Sequence, residues 1–136
     1  MVRSILAVIA GSATWMVTAL GMDAILMTLA PQWFGPHGKV ESVPLMLFMM
    51  SYALLFSALG GYVAALIARR REILHAFVLG VLQLLMGIVA TIQFFDTAPL
   101  WWHLTFLSLL IPANLLGGWL RQARKARTLN GSMVAA

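Results

Sequence analysis

Four long apolar runs divide the chain: Ile5 to Ala30, Pro44 to Ala68, Ile73 to Phe95 and Leu100 to Leu120. Each is close to the roughly 20 apolar residues that a helix needs to cross a bilayer, and the first exceeds it. The over-long first run must tilt, or its last turns must emerge into the interface. Hydrocarbon holds no water to satisfy backbone groups, so each run is expected to be helical. Polar residues gather at three breaks. Pro31 to Val43 carries two Pro and two Gly, which argues against a regular element there. Arg69-Arg70-Arg71-Glu72 forms a short charged turn, and Asp96-Thr97-Ala98-Pro99 is tight enough to make the last two runs a helical hairpin. The expected fold is therefore all-α: a polytopic membrane protein built as one four-helix transmembrane domain over residues 1–128. The polar stretch 129–136 is expected to be a disordered tail.

Composition agrees with the pattern. Of 136 residues, 62% are hydrophobic and 10% charged, against about 45–50% and 25% in soluble domains. Ala10-Gly11-Ser12-Ala13 resembles a signal cleavage site, but the apolar pattern continues far past it, so an uncleaved first helix is expected. With no Cys, disulfides, thiolate metal sites and cysteine nucleophiles are excluded.

The net charge of +5 is gathered at helix ends, which suits a membrane protein and makes nucleic acid a poor partner. In a four-span topology, Arg3, Arg69, Arg70, Arg71, Arg121, Arg124, Lys125 and Arg127 fall on one side and only Lys39 on the other. Basic residues favour the cytoplasmic side, so both termini and the arginine turn are expected inside. Trp101 and Trp102 then belong to the outer aromatic belt, with Tyr62 and Trp119 toward the inner one.

Lipid is as apolar as the helices, so small residues that let backbones approach must hold the bundle together. The second helix carries two such rows, Ser57–Gly61–Ala65 and Gly60–Ala64–Ala68. The first carries Ala7, Gly11, Thr14, Thr18 and Gly21; the third Ala76, Gly80, Gln83, Gly87 and Thr91; the fourth Ala113 and Gly117. Such rows suit a dimer interface or contacts inside one bundle, and the second is expected because every helix has one. Leu59-Gly60-Gly61-Tyr62 and Leu116-Gly117-Gly118-Trp119 form a short internal echo, compatible with a parallel repeat. Pro112, inside the fourth helix, is expected to bend it.

Few residues could carry chemistry. Asp23 is the one acidic residue within an apolar run; it suits proton or cation coupling, or a solvated place at the outer interface. At about 100° per residue it lies well away from the Gly11–Gly21 row. His103 is expected near its depth, where the two could pair. His75 lies near the opposite leaflet, so His75 and His103 are cofactor-ligand candidates that cannot share one haem iron within a single chain; otherwise they are interfacial histidines bonded to water or backbone. Gln83 and Asn114 are expected to hydrogen-bond across helices or to line a polar path. Glu72 and His75 are expected to be solvated at the arginine turn. The Met46-Met49-Met50 cluster reads as flexible packing rather than a soft-metal path. There is no nucleotide loop, HExxH motif or Ser-His-Asp set, so no enzyme activity, metal or cofactor is expected.

Gly60-Gly61-Tyr62-Val63-Ala64-Ala65-Leu66-Ile67-Ala68-Arg69-Arg70, followed by His75-Ala76, resembles a pattern in small bacterial four-span membrane proteins of unknown function. Leu100-Trp101-Trp102-His103, Pro112 and Leu116-Gly117-Gly118 resemble it too. The resemblance implies a bacterial inner-membrane location and no particular activity. Small multidrug transporters also have four short helices but place an acidic residue near the middle of the first, whereas Asp23 lies nearer the outer end. The expected role is an accessory or packing subunit of a larger membrane assembly, in contact with lipid and with copies of itself or other subunits. The alternative is a small oligomeric transporter coupled through Asp23.

Overall fold

The computed structural model describes residues 2–134, with side chains described for 2–36 and 38–128. The fold is all-α. Four helices, α1 (Val2–Leu29), α2 (Val43–Ala68), α3 (Glu72–Gln93) and α4 (Leu100–Val134), are each long and apolar enough to cross a membrane, making this a multi-pass chain. The 28 residues of α1 rise about 42 Å, more than the roughly 30 Å of bilayer hydrocarbon. Helix α4 passes the apolar run's end at Leu120 and stays helical to Val134, into the stretch 129–136 expected as a disordered tail. The stretch Arg121–Thr128 is rich in Arg, Lys, Gln and Ala, which are strong helix formers, and contains no breaker. Ala135 and Ala136 lie outside the described residues.

The helices run up, down, up and down. Arg3 Nε donates to the Ile67 carbonyl 2.8 Å away, joining the start of α1 to the end of α2. Trp102 Nε1 donates to the Met46 carbonyl at 3.2 Å, so α2 and α4 start at one level and run parallel. Both α2 and α3 touch every other helix, while α1 and α4 scarcely meet. The cross-section is thus a rhombus, with α1 and α4 at its far corners. This breaks the repeat suggested by the sequence echo, because a two-fold axis would make α1–α4 equivalent to α2–α3.

The glycines decide the contacts. A Cβ at Gly11 would lie 2.8 Å from the Gly60 carbonyl oxygen and 2.7 Å from Leu79 Cδ2, so α1, α2 and α3 close at this point. A Cβ at Gly61 would overlap the Asn114 carbonyl, and one at Gly117 would overlap the Ala58 carbonyl. A Cβ at Gly80 would lie 3.1 Å from Ile111 Cα, and one at Gly87 would lie 2.8 Å from Leu107 Cδ2. The two rows of α2 therefore serve two neighbours: Gly60 and Ala64 face α1, and Gly61 faces α4. All these approaches lie within one chain.

Gly21 departs from expectation, since nothing lies within 4 Å of its Cβ position. The buried positions of α1 are Ala7, Gly11 and Ala19. With Trp15 they form a row of every fourth residue, one of the ridges by which helices interlock. Of the expected row Ala7, Gly11, Thr14, Thr18 and Gly21, Ala7 and Gly11 lie in the contact and Gly21 does not. Pro112 sits exposed within an unbroken α4.

At the end opposite the chain termini, Pro31 and Pro36 each start a single 3-10 turn. Proline suits that position because its fixed φ is preorganised and it has no N–H to lose. Val40, Leu45 and Met46 form a small core there with Phe34, Met49 and Trp102. The Val40 N–H donates to the Thr97 carbonyl at 3.0 Å, tying this loop to the α3–α4 turn. Met46 and Met50 are buried, so the methionine cluster packs this end.

Candidate functional site

Four polar pairs lie along the bundle, from the loop end to the basic end where Arg69–Arg71 lies. Asp23 continues the α1 row Ala7–Gly11–Trp15–Ala19 by one more step of four. The carboxylate therefore points at α2, contrary to the separation from the seam inferred from sequence. There it accepts a hydrogen bond from the Tyr52 hydroxyl. Tyr52 in turn belongs to the α2 row that continues through Phe56, Gly60 and Ala64. Asp23 is half-buried rather than fully solvated.

His103 is buried, but it does not pair with Asp23. Its Nδ1 lies 3.4 Å from Thr91 Oγ1, and its ring stacks on Phe95 at 5.9 Å. The tight α3–α4 hairpin brings Thr91 and His103 together, while α1 occupies the far corner from α4. His75 lies at the basic end, with Nδ1 3.0 Å from the Arg71 carbonyl. The two histidines thus sit at opposite ends of the bundle. Among the described residues, no three His, Asp or Glu side chains gather as a metal site would require.

Gln83 and Asn114 meet in mid-bundle. Asn114 Nδ2 donates to Gln83 Oε1 at 2.9 Å and to the Leu110 carbonyl at 2.9 Å. Both side chains are fully buried. Gln83 Nε2, Asn114 Oδ1, Ser57 Oγ and Trp15 Nε1 are buried without a protein hydrogen-bond partner. Gln83 Nε2 would lie 3.6 Å from a Cβ on Gly60, and a Cβ on Gly61 would overlap the Asn114 carbonyl, so this pair sits where glycines let the backbones approach closely. The pair is a cross-link in a tight core.

The fourth pair was not foreseen. Glu72, expected to be solvated, is buried, with its side chain only 4% exposed, and it accepts from Lys125 Nζ at 2.9 Å. Lys125 also donates to the Arg69 carbonyl at 3.1 Å. Its other role is therefore to fasten the arginine turn to α4. Arg124 lies over the Tyr62 ring, 5.7 Å from its centroid, a cation–π geometry.

Among the described residues, hollows lie at both ends of the bundle. A cavity of about 750 Å³ lies among Trp33, Phe34, Lys39, Glu41 and Phe48 at the loop end. Lys39 and Glu41 pair at 3.0 Å on its exposed rim. A smaller one of about 290 Å³ lies at the arginine turn. Neither is lined by Asp23, Gln83, His103 or Asn114. The intramembrane polar residues singled out by sequence are therefore brought into separate pairs rather than one shared site. No protein-family model, curated protein or solved structure matches the chain.

Proposed function

We propose that the chain is a non-enzymatic integral membrane protein acting as an accessory or packing subunit of a larger assembly in a bacterial inner membrane. Both termini and the arginine turn would face the cytoplasm, where the basic residues belong. The observation that carries this reading is the pairing of the intramembrane polar groups. Asp23 contacts Tyr52, Gln83 contacts Asn114 and His103 contacts Thr91, in three separate places, and none of them lines either of the two hollows described. A transporter needs polar groups that converge on a place a substrate can occupy. Native purification with mass spectrometry of co-purifying chains tests the proposal. Other membrane subunits, or further copies of the chain, should appear at fixed stoichiometry. A chain that purifies alone as a monomer would refute it.

The second reading, a small proton- or cation-coupled transporter, is favoured by one observation: the half-buried Asp23 carboxylate held by Tyr52. Asp23→Asn separates the two. The amide can still accept from the Tyr52 hydroxyl, so stability should fall by no more than about 1 kcal/mol. A packing subunit should show unchanged proton-linked uptake in membrane vesicles. Uptake lost in the variant, with the fold intact, would instead establish the transporter.

A further inference from the structure

The pocket of about 290 Å³ at the basic end opens where the α2–α3 turn meets α4. Arg69, Arg70, Arg71 and Lys125 line it, together with Glu72 and the apolar Leu74. Its one carboxylate is already matched by Lys125 at 2.9 Å. The three arginines of the turn line the pocket together, and none forms an ion pair with an acid among the described residues.

The backbone of the turn adds a second, independent observation. Arg69 and Arg71 have φ values of 58° and 49°, both in the left-handed region. Glycine is the usual residue for such a position after a helix, because a Cβ is disfavoured there. Orienting the chain in a membrane needs only positive charge nearby, not these two positions. Arginine held where glycine would be relaxed points to a use for the side chain itself.

We propose that this pocket binds the phosphate of an anionic phospholipid headgroup. Guanidinium forks match phosphate oxygens in pairs. The pocket also stands where the apolar helices end, with Leu74 exposed beside it, so the acyl chains of a bound lipid can lie along the bundle. Basic pockets of this kind between membrane helices recognise anionic headgroups. The inference is independent of whether the chain is a subunit or a transporter.

The test measures phosphatidylglycerol binding to the detergent-purified full chain by native mass spectrometry. The Arg70→Gln/Arg71→Gln variant is compared with Arg124→Gln/Arg127→Gln, which removes equal charge from α4 outside the pocket. Affinity should fall about 30-fold in the first, at roughly fivefold per arginine, and less than about 3-fold in the second. Equal losses in both variants would mean diffuse surface attraction and overturn the site, as would no loss in either. Arg70→Lys/Arg71→Lys keeps the charge and loses the fork, and it serves if the glutamine variant fails to fold; it should weaken binding while unaltered affinity would count against the site. Inorganic phosphate at the same concentration should not displace the lipid. Displacement would assign the pocket to free phosphate and overturn the lipid proposal.

Discussion

Gly117→Ala should be the most damaging single methyl group that this bundle can receive. The added Cβ would overlap the Ala58 carbonyl oxygen and lie 2.8 Å from both Ala58 C and Tyr62 N. All three are backbone atoms of α2, so no rotamer change relieves the clash. The helices would have to part by on the order of 1 Å before contact became ordinary. That movement would also loosen the neighbouring Gly61–Asn114 approach and the Gln83–Asn114 bond. Overpacking costs typically 1–3 kcal/mol, and a backbone-on-backbone clash belongs at about 3 kcal/mol or above. The gain in helix propensity, about 1 kcal/mol at most, does not offset this. Gly21→Ala makes the same chemical change where nothing lies within 4 Å, and it should stabilise by roughly 0.5–1 kcal/mol. Unfolding in detergent, followed by circular dichroism, should therefore move in opposite directions for the two. Equal shifts would mean that α2 and α4 do not meet through Gly117.

Lys125→Met should be the next most costly. It strands the buried Glu72 carboxylate, whose second oxygen already lacks a partner. Breaking a fully buried pair costs about 3–5 kcal/mol. Lys125 itself is 43% exposed, so water can reach part of the gap and a loss of about 2 kcal/mol is expected. The variant also releases the Arg69 carbonyl, and with it the left-handed turn. In a Glu72→Gln background the same Lys125→Met change should cost less than about 1 kcal/mol, because no charge is left stranded. If Lys125→Met costs the same in both backgrounds, the ion pair is not what holds α3 to α4.

The spans were legible because a bilayer demands long apolar runs, and charged or Pro/Gly-rich breaks end them visibly. The small residues were legible as seams, but their pairing was not. On α1 the contact follows every fourth residue from Ala7, and a row mixing steps of three and four led to Gly21 instead. That choice also turned Asp23 away from α2, whereas the true row delivers it to Tyr52. The proximity of Asp23 and His103 was inferred from depth alone. Depth says nothing of which helices are adjacent, and α1 and α4 occupy far corners. Glu72 looked solvated beside three arginines. Its burial depends on Lys125, which lies beyond the expected end of the fourth span, on a helical extension that hydropathy does not mark because it is polar.

The most direct test of the account is where the two ends of the bundle lie relative to the membrane. The chain has no native Cys, so single cysteines report cleanly. Gln32 and Ala126 are both exposed, one in the loop after α1 and the other on the extension of α4. Treated with an impermeant thiol reagent on intact cells, Gln32→Cys should label at once, and Ala126→Cys only after the membrane is opened. Labelling of both in intact cells, or the reverse order, would contradict a four-span bundle with its basic end inside.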